Sequence, residues 1–316
     1  MNILITDKVE DEIISTFKKT GYNVTYNEMD PQTLLNEISK YDALMVRSRT
    51  KVTSEVIKAG AKGKLKVIGR AGVGVDNIDV KTATENGIKV VNAPTGSTVS
   101  VAELTVGMMI SASRSIPQAD SSMKQGKWEK KAFKGVELSG KTLGVIGIGR
   151  IGVEVAKRAL AFEMRVLAFD KYITRSPLPR KIQMVTMDKL LKESDYITLH
   201  IPFVKEEGAI IKEEEFEKMK NNVIIINCAR GGVINERALL KYLNSGKVYA
   251  AALDVYEVEP PVFKDLINHP RVICTPHIGA STKEAQLKAG MICTDQIIKA
   301  LKNEKLEYWV NKELKP

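Results

Sequence analysis

Hydrophobic and polar residues follow two different rhythms along the chain. Short apolar runs are typical of buried strands, and segments whose apolar residues recur every three or four positions are typical of helices. The pattern predicts strands at residues 2–6, 24–26, 43–46, 65–68, 89–91, 142–146, 165–169, 196–199, 223–227, 248–253 and 272–275. It predicts helices at residues 9–20, 31–39, 54–61, 100–124, 153–161, 212–220, 236–244 and 282–301. Because strands and helices alternate, parallel sheets covered by helices are expected.

One stretch, KTLGVIGIGRIGVEVAKRALAFEMRVLAFD, joins a strand, a glycine turn, a helix, a second strand and an acid. Gly147 permits a tight turn, Gly149 lets the backbone approach a pyrophosphate, and Gly152 lets the helix pack closely on the strand. The helix N-terminus then offers N–H groups to the phosphates. Asp170 lies 18 residues after Gly152, where a carboxylate would bond the ribose hydroxyls and repel a 2′-phosphate. The stretch therefore predicts an NAD site, and a glycine turn that binds nothing is the alternative.

The order of the elements predicts two α/β domains. A first series of strands and helices ends near Pro94, and the long segment after Ser100 is expected to link it to the nucleotide domain, with Pro117 kinking or breaking the helix. We predict a substrate-binding domain from residues 1–96 and 283–316, and an NAD-binding Rossmann domain from residues 97–282. Both are expected to be flavodoxin-like or Rossmann doubly wound parallel sheets, with the active site in the cleft between them.

Four polar side chains follow strands of the predicted nucleotide domain: Arg230, Asp254, Glu259 and His277. Ligands of open α/β sheets bind beyond the carboxyl ends of the strands, so these residues are expected at one crevice. They suit oxidation of a 2-hydroxy acid, with His277 as general base, Glu259 fixing its tautomer, and Arg230 binding the carboxylate and polarising the carbonyl oxygen. Asp254 would bond Arg230 or face the nicotinamide, and the pattern leaves both open. A histidine after a strand is also commonly a local hydrogen-bonding residue, and His200 has the same placement.

Two loops of the first domain also follow predicted strands. RSRTK carries Arg47 and Arg49, and GRAGVGVD carries Arg70. The arginines would hold a phosphate, and the N–H groups of Gly72 and Gly74 would form a nest for a carboxylate. Ordinary turns with exposed arginines are the alternative.

Composition narrows the classes of function. The formal charge is +10, but the lysines are dispersed and aromatic residues make up only 6%, so nucleic-acid binding is not expected and the charge suits a small anionic substrate. The cysteines, Cys228, Cys274 and Cys293, lack metal-ligand spacing, so neither a metal nor a disulfide framework is predicted. The chain begins as a strand, and no run approaches the roughly 20 apolar residues of a membrane span. A cytoplasmic protein without a membrane partner is expected.

Several stretches resemble the D-isomer-specific 2-hydroxyacid dehydrogenases from about residue 2 to residue 311: GRAGVGVDNID, GVIGIGRIG, NCARGGVINERALL, AALDVYEVEPP and TPHIGAST. The resemblance implies NAD as cofactor and a catalytic set of Arg230, Glu259 and His277. The glycine turn, the strand ends and the resemblance together predict cofactor contacts at Gly147, Gly149, Arg150, Ile151, Gly152, Asp170, His200, Cys228, Ala229, Asp254, Gly279 and Ala280. The predicted substrate contacts are Arg47, Ser48, Arg70, Gly72, Val73 and Gly74.

The stretches RSRTKVT, KQGKWEKKAF and PHIGASTKEAQ are most similar to family members that act on a phosphorylated acid. This resemblance implies NAD-dependent oxidation of 3-phospho-D-glycerate to 3-phosphohydroxypyruvate, the first step of phosphorylated serine biosynthesis, with Arg47 selecting the phosphate. A glyoxylate, hydroxypyruvate or D-lactate type reductase is the alternative enzyme. An NAD-sensing, corepressor-like binding protein is the alternative from another class.

The chain also departs from similar sequences. Ser97 stands where Asn is frequent, and Val73 and Ile201 stand where Thr is frequent, which leaves one substrate contact and two polar cofactor contacts open. The sequence has no length after Pro316 for the amino-acid-binding domain of longer members, so serine feedback through such a domain is not expected. A homodimer formed through the nucleotide domain is implied, and the loop of Trp128 would cover a neighbouring subunit or the active site, or lie in solvent.

Overall fold

The computed structural model describes residues 1–313, so residues 314–316 of the predicted segment 283–316 lie outside the described residues. The chain divides into two compact units, Met1–Thr98 with Ala280–Pro316, and Val99–Gly279. The first unit is therefore built from two separate segments of the chain, whereas the second is built from one continuous segment.

The strands and helices alternate along both units. Within residues 1–313 the strands are β1 Asn2–Ile5, β2 Asn23–Tyr26, β3 Ala43–Val46, β4 Val67–Arg70, β5 Lys89–Asn92, β6 Thr142–Ile146, β7 Arg165–Phe169, β8 Ile182–Met184, β9 Tyr196–Leu199, β10 Val223–Asn227, β11 Val248–Leu253 and β12 Val272–Cys274. The helices are α1 Asp11–Lys19, α2 Pro31–Glu37, α3 Ser54–Ala61, α4 Val80–Glu85, α5 Thr98–Arg114, α6 Ile116–Lys124, α7 Arg150–Ala161, α8 Met187–Glu193, α9 Glu213–Lys218, α10 Glu236–Asn244, α11 Lys264–Ile267 and α12 Lys283–Leu301.

In the first unit, the described residues form a parallel sheet of five strands in the order β2-β1-β3-β4-β5. Helix α12 packs closely on this sheet, because a Cβ added at Gly69 in β4 would lie 2.5 Å from Ile297 and 2.7 Å from Cys293. Glycine at position 69 therefore permits the helix and the strand to approach one another.

In the second unit, the described residues form a parallel sheet of seven strands in the order β12-β11-β10-β9-β6-β7-β8. Alternate side chains of one strand enter two different cores. In β10, Ile224 and Ile226 pack with the side chains of α5 and α7, whereas Val223 and Ile225 pack with those of α8, α9 and α10. Both faces of the strand are buried, which explains why its sequence is a continuous apolar run. The predicted fold class, two doubly wound α/β domains, is confirmed.

The structure refines several predicted elements. The long segment after Ser100 is two helices that meet at Ser115, whose φ of 50° is left-handed, and Pro117 lies in the first turn of α6. Strand β4 begins two residues later than the predicted 65–68, at Val67. Helices α4, α8 and α11 and strand β8 were not predicted, because short elements carry too few apolar positions to show a period.

Among the described residues, no helix combines the length and the apolar character that crossing a membrane requires.

Candidate active site

The glycine turn follows β6 and begins α7. Gly147 has a φ of +93°, and an added Cβ there would lie 2.6 Å from the carbonyl oxygen of His200. Gly152 lies in the first turn of α7, where an added Cβ would overlap the carbonyl oxygen of Gly147. In contrast, an added Cβ at Gly149 would have nothing within 4 Å. The protein itself therefore requires glycine at 147 and 152, whereas position 149 borders open space.

Asp170 connects the end of β7 to this turn. Its Oδ2 accepts a hydrogen bond from the backbone N–H of Ile148 at 2.9 Å, and its Oδ1 accepts from those of Tyr172 at 2.9 Å and Ile173 at 3.0 Å. The carboxylate thus orders the loop after β7 as well as the glycine turn. Each carboxylate oxygen has two acceptor positions, so these three bonds leave one position, on Oδ2, for a ribose hydroxyl.

These features fit a dinucleotide. Gly149 is the N-cap of α7 and has no side chain that could cap the helix, so the N–H groups of the first turn, including those of Arg150 and Ile151, are suited to a pyrophosphate. The open space at Gly149 allows the phosphates to approach the backbone. The carboxylate of Asp170 stands where the adenosine ribose is expected.

Arg230 lies in the turn after β10, and Asn227 orders that turn. The side-chain amide of Asn227 donates to the carbonyl oxygen of Arg230 at 2.9 Å, and its Oδ1 accepts from the N–H of Ala229 at 3.1 Å. The guanidinium of Arg230 donates to the carbonyl oxygen of Ala229 at 2.7 Å. Asn227 is almost fully buried at the end of an apolar strand, and this contrast is the sequence signal by which it could have been found.

His277 and Glu259 form a direct pair. The Nδ1 of His277 lies 2.8 Å from Oε2 of Glu259, and Oε1 of Glu259 accepts from the backbone N–H of Tyr256 at 3.2 Å. With Nδ1 engaged by the carboxylate, Nε2 is the nitrogen left to exchange a proton with a substrate. The contact between the two side chains is the one that the sequence analysis expects, and the catalytic roles of both residues stay predictions.

The charges of the site are coupled. The hydrogen bond to Glu259 raises the pKa of His277 above its ordinary value, with a further contribution from Asp254, while burial and the charge of Arg230 oppose the shift. Burial raises the pKa of Glu259, but the hydrogen bond and charge of His277, together with Arg230, outweigh it and hold that pKa below its usual range. Arg230, Glu259 and His277 therefore act on one another electrostatically.

Asp254 holds the turn that carries His277. The Asp254 side chain is buried and accepts hydrogen bonds from the Thr275 hydroxyl at 2.6 Å and from the N–H groups of Ile278 and Gly279, both at 2.8 Å. His277 itself has a left-handed φ of 53°, which is uncommon for a non-glycine residue. The bonds to Asp254 stabilise this conformation, a role that the sequence alternatives for Asp254 did not include.

The remaining predicted cofactor residues are spread around the same strand ends. His200 follows β9, with its Nε2 3.1 Å from the Thr198 hydroxyl, and burial lowers its pKa to about 3, so it is neutral at neutral pH. The thiol of Cys228 contacts the Met108 sulfur at 3.5 Å inside the core, and burial raises its pKa to about 12. Ala280 begins the second segment of the first unit. The cofactor roles of these residues stay predictions.

In the first unit, Asp7 organises the RSRTK loop. Its carboxylate is buried and accepts from the backbone N–H of Arg47 at 2.5 Å and from the Thr50 hydroxyl at 2.6 Å. Arg49 lies 3.2 Å from the same carboxylate and donates to the carbonyl oxygen of Thr6. The structure thus turns Arg49 towards Asp7, which the sequence interpretation of Arg49 as a phosphate ligand did not foresee.

Arg47 and Ser48 lie at the rim of this loop. Ser48 is exposed, and the Arg47 guanidinium donates to the carbonyl oxygen of Lys8 at 3.0 Å and contacts Oε1 of Gln286 at 3.5 Å. Because a guanidinium has five N–H donors, these two contacts leave donors for an anion.

The GRAGVGVD loop is folded onto itself. The Gly72 N–H donates to the carbonyl oxygen of Arg70 at 2.8 Å, and an added Cβ at Gly72 would overlap the Arg70 guanidinium. The carbonyl oxygen of Val73 accepts from the side-chain amide of Asn92 at 2.6 Å. The N–H of Gly72 is therefore already engaged, contrary to the predicted nest with Gly74.

Comparison with known proteins places the chain in a family. Residues 106–279 match the model of the family described as "D-isomer specific 2-hydroxyacid dehydrogenase, NAD binding domain". A hydroxypyruvate reductase of Thermotoga maritima is 51% identical over 286 residues, which cover 90% of this chain and 92% of that protein. The chain belongs to the D-isomer-specific 2-hydroxyacid dehydrogenases.

Other relatives of this dehydrogenase family extend the comparison. A D-3-phosphoglycerate dehydrogenase of Archaeoglobus fulgidus is 49% identical over 314 residues, 98% of this chain. The chain spans 59% of the length of that relative. The solved structure of a glyoxylate reductase from Paecilomyes thermophila matches with a TM-score of 0.89 and 31% identity, covering 99% of each chain. As a member of the family, the chain contains the family's NAD-binding domain over residues 106–279.

Proposed function

We propose that the protein catalyses NAD-linked oxidation of 3-phospho-D-glycerate to 3-phosphohydroxypyruvate, the first step of phosphorylated serine biosynthesis. The observation that carries a dehydrogenase mechanism is the His277–Glu259 pair at 2.8 Å beside Arg230. The choice of substrate is supported by D-3-phosphoglycerate dehydrogenases that are 49% and 50% identical over 98% of the chain.

Each catalytic residue has one task in this proposal. Nε2 of His277 takes the hydroxyl proton of the substrate in oxidation and returns it in reduction. Glu259 holds Nδ1, fixes the tautomer and stabilises the imidazolium that forms. Arg230 binds the substrate carboxylate and stabilises charge on the carbonyl oxygen. NAD, bound by the glycine turn and Asp170, supplies the hydride-accepting chemistry.

The first unit is proposed to bind the substrate and the second to bind NAD. Arg47 and Ser48 are the proposed phosphate contacts, because Arg47 keeps free donors and Ser48 is exposed. Arg70, Val73 and Gly74 are the further proposed substrate contacts, whereas Gly72 is left out because its N–H already donates to the carbonyl oxygen of Arg70. Arg49 is left out, because Asp7 already engages it.

A second candidate is reduction of hydroxypyruvate. The hydroxypyruvate reductase of Thermotoga maritima is 51% identical and matches over 92% of its own length, whereas the phosphoglycerate dehydrogenases are longer than this chain. An unphosphorylated substrate would give Arg47 no anionic partner, which favours the phosphorylated acid.

We further propose a cytoplasmic homodimer that forms through the second unit. Apolar side chains are exposed on α6 and the loop after it, namely Ile116, Met123 and, with 80% of its surface exposed, Trp128. Such a cluster of exposed apolar side chains is typical of a protein interface.

A substrate panel tests the proposed function. We expect NADH oxidation at 340 nm to be faster, in kcat/KM, with 3-phosphohydroxypyruvate than with hydroxypyruvate, glyoxylate or pyruvate, because Arg47 supplies a cation for the phosphate. The Arg47→Gln variant should lose this preference and keep its activity on hydroxypyruvate. A wild-type preference for an unphosphorylated acid would select the second candidate, and NADPH used as well as NADH would contradict the role of Asp170.

The rate should depend on pH through His277. Since the hydrogen bond to Glu259 raises the pKa of His277 above 6.5, kcat/KM for oxidation should rise with pH and level off above that pKa, where the imidazole is a free base. In the reductive direction the protonated imidazole is needed, so kcat/KM should fall as pH rises through the same pKa. A Glu259→Gln variant should move the midpoint to lower pH, and a wild-type midpoint below 6.5 would contradict the pairing.

A further inference from the structure

Two loops of the second unit touch along their backbones. The first loop is the turn 228–232, which carries Arg230, and the second is the segment 254–259, which carries Glu259. An added Cβ at Gly231 would overlap the carbonyl oxygen of Tyr256 and lie 2.9 Å from the backbone nitrogen of Glu257. The absence of a side chain at Gly231 is therefore what allows the loop of Arg230 and the loop of Glu259 to lie against each other.

A reciprocal pair of hydrogen bonds fastens the second loop. The backbone N–H of Glu257 donates to Oε1 of Glu236 at 2.7 Å, and the backbone N–H of Glu236 donates to Oε1 of Glu257 at 3.0 Å. Glu236 is the first residue of α10, which follows the Arg230 turn in the chain, so its N–H has no partner within the helix. Each glutamate thus binds the backbone of the other, across 21 residues of sequence.

We propose that Glu236 and Glu257 are positioning residues for catalysis: their reciprocal bonds hold the loop of Glu259 at the distance from which Glu259 binds His277. Glu257 lies two residues before Glu259 in the same loop. Tyr256, which directly precedes Glu257, donates its backbone N–H to Oε1 of Glu259. A shift of the Glu257 backbone would therefore move the carboxylate that holds Nδ1 of His277. Neither glutamate contacts the substrate in this proposal; each acts through Glu259.

The surroundings of Glu236 suggest how to separate its charge from its hydrogen bond. Glu236 is 8% exposed, and burial first, then the neighbouring charge of Glu257, raise its pKa. A glutamine at 236 keeps an Oε1 that accepts from the Glu257 N–H and removes the repulsion between two like charges. We call the two reciprocal hydrogen bonds between Glu236 and Glu257 the clamp. Glu236→Gln should therefore preserve the clamp, whereas Glu236→Ala removes the bond that the Glu236 side chain accepts.

The direct test is to measure the pKa of His277 by an NMR titration of histidine-labelled protein. The chain has three histidines, so few signals have to be assigned. The charged groups that act on His277 are Glu259, Asp254 and Arg230, and the bond to Glu259 is the largest influence. Glu236→Ala should lower the pKa of His277 by roughly 0.5 to 1, because that bond lengthens. Glu236→Gln should leave it at the wild-type value.

Two further variants keep the test decisive. Glu257→Ala removes the other half of the clamp at an exposed position, so it should lower the pKa of His277 in the same direction even if Glu236→Ala fails to fold. Glu215→Ala is the matched control, since Glu215 accepts the backbone N–H of Lys212 at 2.9 Å at the start of α9 in the same unit. It should leave the pKa of His277 unchanged. A folded Glu236→Ala or Glu257→Ala variant with wild-type His277 pKa would overturn the proposal.

The consequence for turnover rests on the proposed function. With the best 2-oxo acid of the panel, Glu236→Ala should lower kcat about tenfold, the size expected when one hydrogen bond to a charged group is lost, and leave the Kd for NADH unchanged. Glu236→Gln should restore kcat. If the wild type turned over none of the acids, the proposed function would fail while the NMR titration would still decide the clamp. An equal loss of kcat in the alanine and glutamine variants would contradict the clamp.

Discussion

Replacing His277 with alanine should lower kcat by about 10²–10⁴-fold while leaving NADH binding nearly unchanged. The reason is chemical, because Glu259 holds Nδ1 of the imidazole and, in the proposed function, Nε2 exchanges the substrate proton. The glycine turn and Asp170, which bind the cofactor in the proposed function, are unchanged in this variant, so it should keep the nucleotide site intact. Steady-state kinetics of 3-phosphohydroxypyruvate reduction and a fluorescence titration with NADH check both parts.

His269→Ala is a suitable control for this loss. His269 follows α11, and its Nδ1 accepts the backbone N–H of Arg271 at 3.2 Å, so it is a loop-ordering histidine of the same unit. Its removal should cost little activity. A His277→Ala variant that retains wild-type turnover would reject the assignment of the proton to His277, and a variant that loses NADH affinity together with kcat would point to a collapsed site.

Replacing Gly149 with alanine should weaken NADH binding by at least about tenfold without lowering the melting temperature. The added methyl group meets nothing within 4 Å in the protein, yet it would occupy the space through which the phosphates reach the start of α7. Gly152→Ala should also weaken NADH binding, but it should unfold the protein earlier, because its methyl group overlaps the carbonyl oxygen of Gly147. Overpacking of this kind costs about 1–3 kcal/mol of unfolding free energy.

Thermal denaturation and NADH titration of the same samples separate the two effects. Gly107→Ala is the matched control, because position 107 lies on α5, is exposed and has nothing within 4 Å of the added Cβ. It should affect neither property adversely, since alanine is the better helix former. If Gly149→Ala bound NADH as the wild type does, the phosphates would not approach the backbone at this residue, and the proposed cofactor site would be wrong.

Much of the fold follows from the local pattern, because a parallel strand that is buried on both faces must be a continuous apolar run. The stretch 223–227 was predicted with the bounds that β10 has, and the glycine turn was placed correctly between β6 and α7. The sequence also predicts that Arg230, Glu259 and His277 lie at one edge of the sheet, since all three follow strands of that sheet. Their catalytic roles stay predictions.

What the sequence did not reveal depends on side-chain partners far apart in the chain. Asp254 binds residues from 275 to 279, and Arg49 binds Asp7; neither pairing has a fixed spacing that could be recognised. The left-handed conformation of His277 was equally hidden, because glycine is the usual signal for positive φ and none stands at that position. Glu236 falls in the helix that the pattern predicts at residues 236–244, and no pattern in the sequence singles out Glu257.

The division of the chain into units has a consequence for synthesis on the ribosome. The second unit is encoded by one uninterrupted stretch, Val99–Gly279, so all of its strands can assemble as soon as that stretch has emerged. The first unit cannot complete its fold at that stage, because helix α12, which packs against Gly69, belongs to the segment that is synthesised after the second unit. The part of the chain that is translated first should therefore be completed last, with one face of its sheet uncovered in the interval.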